Sequence, residues 1–199
     1  MLLQFFDTET TGLPKNWRAP MHDLDNWPRI IQLAYLVFDL DGNEISAFNQ
    51  LIKPDGWTMP TEKFWIDNGF TQEKSEAEGI PIADALNSFI GDYNRSDAMV
   101  AHNISYDFYV TGAELIRAGI RANKPTRNRQ FCTKEIGTDF CKLPGNYGKY
   151  KWPTLSELHN KLFGCDFDNA HDALADVRAT ANCFFELVRL GEIQIEEVA

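Results

Sequence analysis

The chain has 199 residues, 44% of them hydrophobic and 24% charged, proportions ordinary for a soluble protein and sufficient for one well-cored domain spanning 1–199. No apolar run approaches membrane-spanning length, because Asp7 interrupts the N-terminal stretch, which also lacks the basic start and cleavage site of a signal peptide; a cytoplasmic protein with no membrane partner is expected. The formal charge of −10 argues at first against a polyanionic partner, and Cys132, Cys141, Cys165 and Cys183 form no Cys-x-x-Cys pair that would suggest zinc or a disulfide scaffold.

Along the chain, residues 2–6 read as a short strand buried on both faces. Lys15 to Pro28 is a polar, Trp-containing surface excursion. Two strand-like runs then flank Asp41-Gly42-Asn43, which gives a β-hairpin. Phe64 to Asn68 forms a short helix stopped by Gly69, and a longer helix runs from about Ile82 to Tyr93, with Ala83, Leu86, Phe89 and Ile90 on one stripe. Asp97 to Ala101 is a short strand. Asn103 to Ala118 is a helix ended by Gly119, with Ile104, Phe108, Thr111 and Leu115 facing inward.

A strand at Arg129–Thr133 leads to a helix around Lys134–Cys141. Leu143 to Trp152, rich in Gly, Lys and Tyr, reads as a mobile loop. Thr154 and Glu157 have capping-box spacing at the next helix start. Asp172 to Leu190 is the last helix, followed by a short acidic tail from about 191. A hairpin beside a central strand, then strand–helix alternation, predicts an α/β domain with a mixed β-sheet flanked by helices.

Four carboxylates stand where local structure does not favour them. Asp7 and Glu9 end the apolar start, and residues two apart on a strand share a face. Asp107 lies near the start of one helix. Asp176 borders the buried side of another, where a charge needs a partner. Acids converging from separate segments repel unless cations neutralise them, so a metal site built by folding is expected. His171, just before the last helix, is close enough in sequence to reach water at such a site.

These residues resemble the three sequence blocks of the DEDDh exonucleases, which have the ribonuclease H-like fold. Phe6-Asp7-Thr8-Glu9-Thr10-Thr11-Gly12-Leu13-Pro14 matches the first block, Ala101-His102-Asn103 through Tyr106-Asp107-Phe108 the second, and His171-Asp172-Ala173 through Asp176 the third. The match is similar to that of the proofreading (epsilon) subunit of bacterial replicative polymerase and its stand-alone relatives. It implies that Asp7, Glu9, Asp107 and Asp176 bind two divalent ions, Mg2+ or Mn2+, and that His171 is the general base. It also implies that main-chain groups around Thr10 hold the terminal 3′ hydroxyl, that Leu13 wedges against the last base, and that Asn103 lies near the substrate or ties a loop to its helix. The activity implied is 3′–5′ exonucleolytic release of nucleoside 5′-monophosphates from single-stranded nucleic acid. The Thr10-Thr11-Gly12 block favours DNA; an RNA-trimming enzyme of the same family and a catalytically silent nucleic-acid-binding module are the alternatives, with a phosphatase for small esters behind them.

Two further features bear on the partner. Arg117 to Lys151 carries nine Lys or Arg against Glu135 and Asp139, a net +7, while the remainder carries −17. Such a run is either a solvated surface or a seat for a phosphate backbone. Asn68 stands where family members often place a substrate-touching His, and Phe64 and Trp65 beside it read as stacking candidates or as aromatics under a loop. The chain stops soon after its last helix, without a tether of the kind a polymerase subunit uses, so a free-standing enzyme is expected.

Overall fold

A computed structural model of the chain describes residues 1–122, 129–168, 170 and 172–195. Five strands form one mixed sheet: β1 (Leu2–Thr10), β2 (Ile30–Asp39), β3 (Glu44–Leu51), β4 (Ala98–Ala101) and β5 (Arg129–Cys132), in the spatial order β3-β2-β1-β4-β5. The first three are antiparallel, and β1, β4 and β5 are parallel. The intervening helices are α1 (Lys63–Asp67), α2 (Gln72–Glu78), α3 (Ile82–Arg95), α4 (Ile104–Arg117), α5 (Thr133–Cys141), α6 (Leu155–Phe163) and α7 (Ala173–Arg189). No helix among the described residues is long and apolar enough to cross a membrane.

The period of two along β1 divides the core into two layers. Leu3 and Phe5 face α6 and α7, packing with Leu158, Val177, Phe184 and Leu187. Phe6 faces the other way, onto α3 and α4, with Phe89, Tyr93, Val110 and Ala113. Phe5 and Phe184 meet edge to face at 5.4 Å. Both rings are fully buried, and each such side chain stabilises the fold by roughly 1.5–3 kcal/mol.

β1 is longer than the apolar run suggested, extending through Asp7, Thr8 and Glu9 to Thr10. Its apolar half is sandwiched between β2 and β4, but β4 reaches only Leu3 to Phe5. Beyond Phe5 the strand is held by β2 alone, with a register shift between Glu9 and Thr10. One edge of the polar half is therefore unpaired toward β4, and Asp107 bonds Thr8 there.

Other departures from the sequence reading have local causes. α2 was not expected, because its residues carry no apolar stripe and only Ser75 is buried; Thr71 starts it by accepting the Lys74 N–H. On α4, Phe108 and Leu115 are half-buried, and the inward face instead holds Asp107, Val110, Gly112, Ala113 and Glu114. Residues 143–152 form a hydrogen-bonded hairpin with a bridge between Pro144 and Tyr150, not a loose loop. The capping box at α6 is present, with Thr154 and Glu157 bonded reciprocally.

Glu114 fastens the 15–28 excursion to α4. It is buried, pairs with Arg29 at 2.7 Å and Arg117 at 3.0 Å, and accepts the Ile30 N–H. Arg117 also donates to the carbonyls of Leu24, Trp27 and Pro28. Gly112 permits this contact, since a Cβ there would lie 2.1 Å from Met21 Sδ.

Candidate active site

Asp7 and Glu9 project from β1 toward α7, on the face that Leu3 and Phe5 occupy further down the strand. Asp176 stands in the first turn of α7. The carboxylate oxygens of these three residues lie within 4.8 Å of one another. The start of α7 is held in place by Gln32, which lies opposite Glu9 on β2. Its Oε1 accepts the Ala173 N–H at 3.2 Å, and its Nε2 donates to Asp172 Oδ2 at 3.2 Å. Asp172 in turn caps α7 by accepting the Ala175 N–H.

Asp107 reaches the same place from the opposite face of the sheet. α4 begins just after β4 ends, so its first turn stands beside the unpaired edge of β1. There Asp107 Oδ1 accepts both the Thr8 N–H, at 3.1 Å, and the Thr8 hydroxyl, at 2.7 Å. The amide bond occupies the place that a longer β4 would have filled.

Bringing these acids together is electrostatically costly. Burial raises the Asp7 carboxyl well above its ordinary range, and the charges of Asp107, Asp176, Glu9 and Asp172 push it further the same way. Glu9 is pushed up to about 8 by burial and by Asp176, Asp107 and Asp172. Burial raises Asp107 to about 7 even though the two Thr8 bonds act against it. Carboxylates arranged this way favour either protons or cations between them. The clustered donors are all hard oxygens, which suit a divalent ion such as Mg2+ or Mn2+.

Residues 5–184 match the family model RNase_T, described as an exonuclease. The chain belongs to this exonuclease family. Its members work with divalent metal ions, and the carboxylates of Asp7, Glu9 and Asp176 form a donor set of that kind. Comparison with curated protein sequences gave no match. Among solved structures, the exonuclease domain resembles Escherichia coli exonuclease I in complex with a dT13 oligonucleotide, with a TM-score of 0.73, 20% identity and coverage of 96% of this chain. It also resembles a zinc-bound form of the E. coli exonuclease I–ssDNA complex (TM-score 0.72, 21% identity, 95% of this chain). A third likeness is to exonuclease I from the moderately thermophilic Methylocaldum szegediense (TM-score 0.72, 23% identity, 94% of this chain). The chain spans 42%, 40% and 40% of those three chains. The mixed sheet flanked by helices is thus the ribonuclease H-like exonuclease fold, whereas the likeness to a polymerase proofreading subunit rests on the sequence blocks alone.

His171 lies outside the described residues. Thr10 Oγ1, the Tyr106 hydroxyl and the Gly12 carbonyl form a closed triangle with sides of 2.6 and 2.8 Å. The Thr10 carbonyl accepts the Trp65 indole N–H at 2.9 Å. Trp65 is half-buried against Ile31, Met59 and Phe70, so it braces the end of β1 from below. Leu13, beyond this brace, is 72% exposed.

Asn103 has a left-handed backbone (φ 82°), and its side chain makes no cap bond to α4. It accepts instead from Lys134 Nζ, which lies over the Trp152 ring at 4.3 Å. His102, next to Asn103, bonds Thr133 Oγ1 and the Pro153 carbonyl, and burial lowers it to about 4, so it is a neutral brace. Asn68 bonds back to the Phe64 carbonyl at the end of its own helix.

The basic run divides in the fold. Arg117 is committed to Glu114 and three carbonyls, and so belongs to the scaffold. Lys134 stands near Asp107, whose charge acts on it. Lys124 and Arg127 lie outside the described residues. Asp172, Gln32 and Tyr106 were not singled out from the sequence. In the sequence Asp172 reads only as the first residue of the last helix; it is instead the cap of α7, and nothing local shows that it borders Glu9.

Proposed function

We propose that the domain removes nucleotides from the 3′ end of single-stranded DNA, releasing nucleoside 5′-monophosphates one at a time. Asp7, Glu9, Asp107 and Asp176 would hold two divalent ions, Mg2+ or Mn2+. When bound, such ions supply Lewis-acid activation of water and stabilisation of the leaving oxygen. Convergence of three carboxylates within 4.8 Å, with a fourth entering along the β1 edge, carries this reading. The exonuclease I complexes with dT13 and dA16 oligonucleotides support DNA as the substrate.

The chain's own residues divide the remaining work. Thr8 keeps Asp107 ionisable and oriented by donating two hydrogen bonds to one of its oxygens. The Thr10–Tyr106–Gly12 triangle and the Trp65 bond fix the backbone after Glu9, where the terminal 3′ hydroxyl would lie. Leu13 is exposed beside it and would wedge against the last base. His171, carried over from the third sequence block, would accept the proton of the attacking water, for which a near-neutral pKa is suited. A cytoplasmic enzyme fits this role.

A 5′-labelled oligonucleotide should shorten to a ladder in Mg2+, a circular single strand should resist, and EDTA should stop the reaction. Asp107→Ala should reduce the rate to background, and His171→Ala should lose about 100- to 10,000-fold while still binding the metal. Degradation that persists in Asp107→Ala would sink the assignment, and an unchanged neutral-pH rate in His171→Ala would remove His171 from it.

A further inference from the structure

The hairpin of residues 143–152 ends against Lys134 and His102, which adjoin the segment leading into Asp107, and it carries three exposed aromatic rings. Tyr147 is 100% exposed, Tyr150 50% and Trp152 63%. Lys149 and Lys151 stand between them in sequence, and Lys142 precedes the hairpin, all three exposed; Lys151 is paired with Glu157 at the start of α6. Three large rings within six residues, each left largely in water, contribute little to folding.

The hairpin is nevertheless ordered. The Gly145 N–H donates to the Lys149 carbonyl at 2.9 Å, the Lys149 N–H to Asn146, and the Lys151 N–H to Leu143. A Cβ at Gly145 would meet the Lys149 carbonyl at 2.7 Å, so this close strand approach requires glycine. Tyr147 is held in the left-handed region (φ 57°, ψ 33°), where a side chain of its size is rare.

The base of the hairpin is fastened to the site at two points. His102 Nε2 lies 3.1 Å from the Pro153 carbonyl, immediately after Trp152. Lys134 sits over the Trp152 ring and bonds Asn103, one turn before Asp107. The base of this rim of rings and lysines is thus tied to the segment that leads into Asp107.

We propose that this hairpin, with Lys134 at its base, is the subsite for the DNA strand running 5′ from the terminal nucleotide. The exposed rings stack on successive bases, and Lys134 and Lys149 meet phosphates. Stacking of this kind tolerates any sequence, because every base has a π face. The inference rests on the exonuclease reading for the identity of the strand. It also resolves the overall acidity of the chain: cations reach the polymer from this rim while metal ions cover the acids.

The test measures binding of oligo(dT) from two to twelve nucleotides by fluorescence anisotropy in EDTA, so that affinity is read without hydrolysis. Wild-type affinity should rise with length and then level off. Tyr150→Ala with Trp152→Ala should bind a twelve-mer about tenfold or more weakly, in keeping with the loss of ring stacking, with a deficit that grows with length. Lys149→Gln and Lys134→Gln should each lower the slope of log affinity against log salt by about 0.7, one phosphate contact on a single strand. Tyr147→Gly removes the left-handed strain, so it should keep or raise the melting temperature while weakening binding, a combination that a structural role does not produce. Unchanged affinity in all these variants would overturn the proposal and point to a protein partner for the rings. A deficit independent of length would also overturn it. Length-dependent binding without hydrolysis in Mg2+ would refute the exonuclease reading and leave the subsite standing.

Discussion

Thr8 shows how much of the site's electrostatics rests on one hydroxyl. Asp107 is buried among other acids, and the only described hydrogen bonds from another residue to its carboxylate come from the Thr8 N–H and Oγ1. The amide cannot be removed by substitution, but the hydroxyl can. Thr8→Val keeps the shape and β-branching while deleting a donor that holds the Asp107 carboxyl down. Asp107 should then protonate more readily than its present position near 7. Activity should fall several-fold at neutral pH and recover as pH rises, with the acid limb displaced upward, and Thr8→Ser should restore the original limb. The loss of stability should stay near 1 kcal/mol, the worth of an ordinary hydrogen bond. A pH–rate profile of Thr8→Val that superimposes on the wild type would show that Asp107 is governed by something other than Thr8.

At the level of elements, the critical joint is the seat of α7 on β2. Gln32 lies opposite Glu9 in the register and bonds Asn49, Asp172 and the Ala173 N–H, so it sets the separation between Glu9 and Asp176. Gln32→Leu would leave the Ala173 N–H and the Asp172 carboxylate short of partners, at about 1–3 kcal/mol. Mg2+ affinity, read by calorimetry, should weaken together with the urea midpoint; wild-type affinity in this variant would show that α7 is placed without Gln32. Sequence patterns could not reveal this joint, since a Gln in an apolar strand signals only a polar interruption. They did reveal the strand-to-helix order and the shared face of Asp7 and Glu9, because periods of two and 3.6 are local properties. The end of β1 was hidden for the complementary reason. Asp7-Thr8-Glu9-Thr10 is polar, and it stays extended only because distant β2 supplies its hydrogen-bond partners. The same applies to α2, which a Thr cap defines without an apolar stripe, and to the 143–152 hairpin, whose Gly-rich sequence resembles a loop until its cross-strand bonds are seen.

For the whole molecule, the acid cluster makes metal-free stability depend on pH in an unusual direction. Glu9 is pushed up to about 8 and Asp107 to about 7, with Asp7 raised as well. Between the ordinary carboxylate range and pH 8 the folded chain therefore holds more protons than the unfolded one. Stability is fully present below the unfolded-state pKa values and is lost as pH rises through 7 and then 8, by at most about 1.4 kcal/mol per pH unit for each group. Divalent ions act oppositely. Their affinity grows as the carboxylates lose protons, and an ion at a hundred times its dissociation constant adds about 2.7 kcal/mol. Urea midpoints measured in EDTA should decline from roughly pH 5 to pH 8.5, and saturating Mg2+ should flatten that decline most at its alkaline end. Glu9→Gln removes the group that titrates near 8 and a repelling charge with it. It should raise the metal-free midpoint at pH 8 while abolishing most of the gain from Mg2+, so the variant is more stable than wild type without metal and less stable with it. A metal-free midpoint independent of pH would mean that the carboxylates are already ionised in the folded chain. In that case the cluster would need no cation to hold it together, and the physical argument for the metal site would fail at its source.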